Sequence, residues 1–194
     1  MRPEPGVTLP DFDALYASDP DPWRVASSWY ERRKRSILLA SLPRESYATA
    51  WEPGCGPGLT SQSLATRVGT LVASDASSVA VALARRRCRA LTNVECVLSA
   101  LPAVPFDGVV ELVVAAEFLY YVCELDAALD ALWSRLAPAG HLVVVHWAHR
   151  PHDAFRSGPG MHASIERDAG ARGAQRLVSH VDQDFVLDVY EAPA

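Results

Sequence analysis

Apolar positions recur along this chain in two rhythms that take turns. Short apolar runs rich in branched side chains at 48–52, 70–75, 94–98, 109–116 and 141–146 read as strands. Longer stretches at 61–67, 77–90 and 125–136 carry the helical spacing, the last ended by Pro138-Ala139-Gly140. Strands alternating with helices predict βαβ units and a parallel sheet covered on both faces. Ahead of them, 27–42 reads as a helix with Ile37, Leu38 and Leu42 on one face and Pro43 as its stop. Behind them, 175–181 and 185–191 alternate apolar and polar residues around Asp182-Gln183-Asp184, which predicts an antiparallel hairpin on one edge. The Gly-, Pro- and His-bearing stretch 151–173 reads as a loop with a short helix near 163–169, a lid or acceptor wall. The expected fold is therefore α/β, a single-domain Rossmann-like open sheet flanked by helices. An N-terminal helical lid spans 1–43 and the core spans 47–194.

Length and composition narrow the partners. A chain of 194 residues, 49% apolar and 21% charged, has the make-up of one globular domain and none of the marks of a disordered or fibrous protein. With 18 Lys plus Arg against 23 Asp plus Glu, net −5, it offers no basic stripe for a nucleic acid backbone. The most apolar stretch, 109–122, falls short of the ~20 residues of a membrane span and is broken by Glu111 and Glu117. The start Met1-Arg2-Pro3-Glu4-Pro5-Gly6 lacks the apolar run of an export signal, so a cytoplasmic protein with no membrane partner is expected. The four cysteines form no CxxC pair and no zinc-ligand spacing, so free thiols and no metal are expected. Cys55, in a Gly-rich loop that opens a helix, is the one cysteine placed for nucleophilic chemistry.

The sharpest local signal is Glu52-Pro53-Gly54-Cys55-Gly56-Pro57-Gly58, between the first strand and the next helix. Glycines at alternate positions let backbone approach a ligand without a Cβ in the way. The dinucleotide fingerprint needs its third glycine where Leu59 stands, and Glu52 would repel a diphosphate while accepting from an ammonium. Asp75 ends the second strand, where a carboxylate takes ribose hydroxyls; capping of the next helix is the lesser reading. Together these residues point to a nucleoside with a charged tail that is not a phosphate.

The glycine loop, Asp75 and the order of elements resemble the class I S-adenosylmethionine-dependent methyltransferases. The stretches Phe12-Asp13-Ala14-Leu15-Tyr16, Asp19-Pro20-Asp21-Pro22-Trp23 and Ser28-Trp29-Tyr30-Glu31-Arg32-Arg33-Lys34-Arg35 resemble the nodulation protein S N-methyltransferases more narrowly. Glu117 with Tyr120-Tyr121, and Val145-His146-Trp147 with His149, continue that resemblance, which covers 11–149 and the final hairpin. It implies that Gly54, Gly56 and Gly58 lie under the methionine part of S-adenosylmethionine, that Glu52 faces its amino group and that Asp75 holds the ribose. Adenine is walled by Ala76, Ala100 and Leu101, with Ser99 where the family often has an aspartate. Trp23 covers the cofactor, and Arg33 or Arg32, Arg33 preferred, pairs with its carboxylate. The run 31–35 otherwise reads as a solvated helix face.

For the acceptor, Glu117 and His146 stand at the ends of the fourth and fifth strands, where an open α/β sheet places its ligands. A histidine suits removal of an amine proton, a carboxylate suits an ammonium, and Tyr120 and Tyr121 shape the pocket. A packed histidine donating to backbone is the competing, lesser reading of His146, and His149, His152 and His162 are weaker candidates. The resemblance implies methylation of a small polar molecule, an amine such as an amino sugar, or alternatively a hydroxyl. A nicotinamide-dependent oxidoreductase and a non-catalytic nucleoside-binding domain are the competing readings.

Overall fold

The computed structural model describes residues 9–194; residues 1–6, read above for an export signal, lie outside the described residues. One seven-stranded sheet runs in the order β3-β2-β1-β4-β5-β7-β6. Its strands are β1 (Tyr47–Pro53), β2 (Val68–Asp75), β3 (Val94–Leu98), β4 (Val110–Ala116), β5 (Leu136–Trp147), β6 (Gln175–Val181) and β7 (Phe185–Glu191). The first five pair in parallel, and β7 runs antiparallel between β5 and β6. The helices are α1 (Phe12–Ser18), α2 (Trp29–Ala40), α3 (Leu59–Leu64), α4 (Ser78–Cys88), α5 (Leu125–Ser134) and α6 (Gly158–Ala171), with a 3-10 turn at Leu119–Tyr121. This is the Rossmann-like open sheet with a C-terminal hairpin that the sequence predicts.

The apolar runs of β4 and β5 are continuous because both faces are buried. Leu112, Val114, Val143 and Val145 pack with Leu38 and Leu64 on one side; Val113, Ala115, Leu142 and Val144 pack with Leu129, Leu132, Met161 and Ile165 on the other. From β1 the chain first builds β2 and β3 to one side and then crosses to β4 on the other. The order thus reverses between β1 and β4, which opens a crevice beyond their carboxyl ends.

Three elements differ from expectation. Helix α5 stops at Ser134, and Pro138-Ala139-Gly140 lies inside β5, where Ala139 has φ 54° and the β4–β5 register jumps between Val110 and Leu112. A proline without an N–H is accommodated at such a bulge. Helix α6 runs for 14 residues, because Ser157 caps it and Pro159 fits its first turn, although three glycines lower its propensity. Helix α1, absent from the sequence reading, is capped by Asp11, which accepts from the Ala14 amide at 3.0 Å.

Candidate active site

A cavity of about 960 Å³ fills the crevice at the carboxyl ends of β1, β2, β4 and β5. Its floor is the loop after β1. Gly54 and Gly56 have φ of 67° and 53°, a left-handed backbone that favours glycine. A Cβ on Gly54 would lie 2.5 Å from the Phe118 ring, and one on Gly56 would lie 3.0 Å from Tyr16 Oη. The loop is tied to Asp75, whose Oδ2 accepts from the Gly56 amide at 2.8 Å while Oδ1 accepts from the Ser77 amide at 2.9 Å. Burial raises the Asp75 pKa, and these amides oppose it. The helix cap proper is Ser77, whose hydroxyl accepts from the Ala80 amide.

Glu52 lies beside this floor, 2% exposed, with the Ser61 hydroxyl donating to it at 2.5 Å. Burial holds its carboxyl up at about 8; the Ser61 bond and Arg35 lower it, and Asp75 raises it. Cys55 also faces the cavity, but burial and the carboxylates of Glu52 and Asp75 push its thiol well up, which removes the thiolate a nucleophile needs.

The N-terminal segment forms the roof. Asp13 on α1 accepts from Ser77 Oγ at 2.6 Å, Ser78 Oγ at 3.2 Å and the Val79 amide at 3.2 Å, which docks α1 on the start of α4. That brings Phe12, Tyr16 and Trp23 together, with Trp23 ring centroids 6.4 Å from Phe12 and 5.6 Å from Tyr16, and Phe12 5.3 Å from Tyr121. Opposite, α2 turns Glu31, Lys34, Arg35 and Leu38 toward the cavity, one helical face at i, i+3, i+4 and i+7. The charged run is therefore not simply a solvated face.

At the β4–β5 end, Glu117 has φ 60° and collects three donors. Lys34 pairs with its Oε1, while Tyr120 Oη and the Trp147 amide donate to Oε2 at 2.6 and 3.0 Å. Lys34 also pairs with Glu31 at 2.8 Å and stands 4.6 Å from the Tyr30 ring centroid. Burial would lower the Lys34 pKa, but Glu117 and Glu31 outweigh it and hold the ammonium above the usual lysine range. Burial and Glu117 push the Tyr120 phenol well up, so Tyr120 serves as a donor. Beyond these, Arg150, Pro151, His152 and Asp153 wall the cavity, held by the Phe155 amide on Tyr120 O and by Arg156 on Val122 O and Cys123 O.

Of the residues singled out by sequence, Trp23, Glu52, Gly54, Gly56, Asp75, Ala76, Ala100, Leu101, Glu117 and Tyr120 line this one cavity. Gly58 does not; it caps α3 and packs on Ala84. Two placements correct the expectation. Arg33 points away, to Asp182 in the β6–β7 turn and over the Trp29 and Phe185 rings, because its helical phase differs from that of Lys34 and Arg35. His146 is fully buried on the other face of β5 from Val145 and Trp147, since neighbours along a strand point oppositely. His146 Nδ1 is 3.2 Å from His162 Nε2, and His162 Nδ1 is 2.6 Å from Asp188 Oδ2. Burial, with His162 and Lys34, depresses the His146 pKa far below its ordinary value. The sequence reading missed Lys34, Arg35 and Glu31 as wall residues; their spacing with Leu38 was the available signal. Among the described residues no group of three His, Cys, Asp or Glu side chains is arranged to hold a metal ion, and no helix is long and apolar enough to cross a membrane.

Comparison with known proteins gives a consistent result. A family model described as a methyltransferase domain matches residues 51–144. Nodulation protein S of Rhizobium tropici is 34% identical over 127 residues, 63% of this chain and 53% of that protein, so the chain spans about half the length of this relative. A solved structure of a candidate methyltransferase from Pseudomonas syringae is 38% identical, covers 84% of this chain and 99% of its own, and superposes with a TM-score of 0.73. The N-methyltransferase NodS of Bradyrhizobium japonicum, solved with S-adenosyl-L-homocysteine, shares the fold at 22% identity, with a TM-score of 0.80 over 94% of this chain and 97% of its own.

Proposed function

The chain belongs to the class I S-adenosylmethionine-dependent methyltransferases, with nodulation protein S among its relatives, and from that membership we propose that it methylates the nitrogen of a small polar amine, such as an amino sugar. One observation carries the reading. The Gly56 amide, which a diphosphate would need, is already donated to the Asp75 carboxylate, and Glu52 adds a second buried acid beside the same loop. A floor of this kind favours a cationic nucleoside over a nicotinamide dinucleotide.

The residues fit that cofactor. Asp75 retains lone pairs for ribose hydroxyls, and Glu52 accepts from the amino group. Arg35, on the cavity face of α2, takes the carboxylate role expected of Arg33. Ala76, Ala100 and Leu101 bound the adenine slot, and Trp23, Tyr16 and Phe12 close over it. When bound, S-adenosylmethionine supplies an activated methyl group as a sulfonium. The protein then needs chiefly to position the acceptor and exclude water.

An amine acceptor arrives as an ammonium and must shed its proton before its lone pair attacks. The acceptor end carries three carboxylates, Glu31, Glu117 and Asp153, against two cations, Lys34 and Arg150, and that excess favours a cation over a neutral hydroxyl. His146 faces the other side of the sheet, so we assign the proton to His152, which lines the cavity and is exposed, for release to solvent. Incubation with methyl-tritiated S-adenosylmethionine and matched panels of amines and alcohols tests the proposal. Label is expected in the amines; label confined to alcohols, or in neither panel, rejects it.

A further inference from the structure

Lys34 is an unusual wall residue, because its ammonium lies where a ligand's would. It is 5% exposed yet faces the cavity, among Glu31 at 2.8 Å, Glu117, and the Tyr30 ring with its centroid 4.6 Å away. Two carboxylates and an aromatic face are the recognition elements for an alkylammonium. Here the protein's own side chain satisfies them. Within this trio two carboxylates meet one ammonium, and Arg35 on the next position of the helix is the other positive charge felt by Glu31.

The rest of the wall is built without Lys34. Tyr120 and the Trp147 amide hold Glu117 Oε2, so the carboxylate that Lys34 meets at Oε1 stays oriented if the lysine leaves. Helix α2 is held by other groups, with Leu38 buried, Tyr30, Ile37 and Leu39 packed on the core, Arg33 paired with Asp182 and the Tyr30 hydroxyl donating to Asp184 O, so its seat does not depend on Lys34. A four-carbon stem on such a helix can withdraw without disturbing the sheet. From this geometry we propose that Lys34 is a placeholder for the acceptor, filling the ammonium subsite of Glu117 and Glu31 until the substrate amine displaces it. It is thus a specificity-determining residue, since only a cation can exchange with it at those carboxylates. The inference rests on the amine-methyltransferase reading and names the subsite within it.

Propylammonium chloride is the probe, and its binding is read by calorimetry and by the shift in melting temperature. Lys34→Met vacates the subsite, and Glu31→Gln with Lys34→Met does so while removing one of the two carboxylates, which keeps the test alive if the single variant folds poorly. Both variants are expected to bind propylammonium at least about tenfold more tightly than the wild type, the factor that 1.4 kcal/mol represents. Lys34→Met is also expected to lower the KM for amine acceptors. Propylammonium binding unchanged or weakened in both variants overturns the placeholder role, as does a raised KM with reduced kcat, which marks Lys34 as a positioning residue instead. S-adenosylhomocysteine binding is measured on the same samples. Its failure in the wild type defeats the methyltransferase reading, whereas a null propylammonium result with intact S-adenosylhomocysteine binding defeats only the placeholder.

Discussion

Glu52 and Glu117 each stand at the end of a parallel strand over the same cavity, and their surroundings are opposite. Glu52 has one partner close by in sequence, the Ser61 hydroxyl, and burial without a paired cation lifts its carboxyl to about 8. Glu117 is met by Lys34, Tyr120 and the Trp147 amide, from three separate elements. A carboxylate left short of cations awaits one from a ligand, whereas a saturated one must exchange a partner to take a ligand. The β1–β2 end is therefore prepared to receive, and the β4–β5 end is prepared to exchange.

The largest effect separating the two ends is expected from Gly56→Val, which puts a branched side chain on a positive-φ floor position that Tyr16 already crowds. S-adenosylhomocysteine binding should weaken by about a hundredfold or more, some 2.7 kcal/mol, with the circular dichroism of the sheet retained. Next is Asp75→Ala, which removes charge-assisted bonds of about 2 kcal/mol and should weaken the same binding roughly thirtyfold in calorimetry.

Smaller effects are read through pH. Because Glu52 is protonated below about 8, cofactor affinity should rise with pH up to that value, by as much as about tenfold per unit, and Glu52→Gln should flatten the profile. Stability moves the other way. A carboxyl whose folded pKa is raised above 4.5 stabilises the ligand-free protein fully below 4.5 and loses that contribution as pH rises through about 8. Urea unfolding of wild type and Glu52→Gln across that window checks the sign. The smallest effect lies outside the cavity. His146 has a depressed pKa, so its contribution is present above 6.5 and lost as pH falls below it, with a limiting slope of about 1.4 kcal/mol per pH unit. His146→Leu should reduce that acid sensitivity while methyl transfer at pH 8 survives; loss of transfer in a folded variant would return His146 to the reaction.

The same comparison explains what the sequence made legible. The glycine loop, Glu52 and Asp75 are placed by one β-loop-helix unit and its neighbouring strand, so local spacing carries most of their geometry. The Lys34–Glu117 pair spans 83 residues, and which charge of 31–35 turns inward depends on how α2 docks on the sheet. Arg33 and Lys34 are adjacent, yet one meets the β6–β7 turn and the other the cavity. His146 departs from expectation for a related reason: the end of a strand fixes its depth, but strand phase decides which face it serves. Helix α6 is longer than its sequence predicts because its glycines hide a helix that its Ser157 cap and packing against the sheet sustain.

The most direct test of the central claim, that this glycine-lined cavity takes a sulfonium nucleoside and not a diphosphate, is calorimetric titration of the wild-type protein with S-adenosylhomocysteine and, separately, with NAD. Saturable binding of one S-adenosylhomocysteine per chain with no heat from NAD is the predicted result. Saturable NAD binding with none for S-adenosylhomocysteine would contradict it.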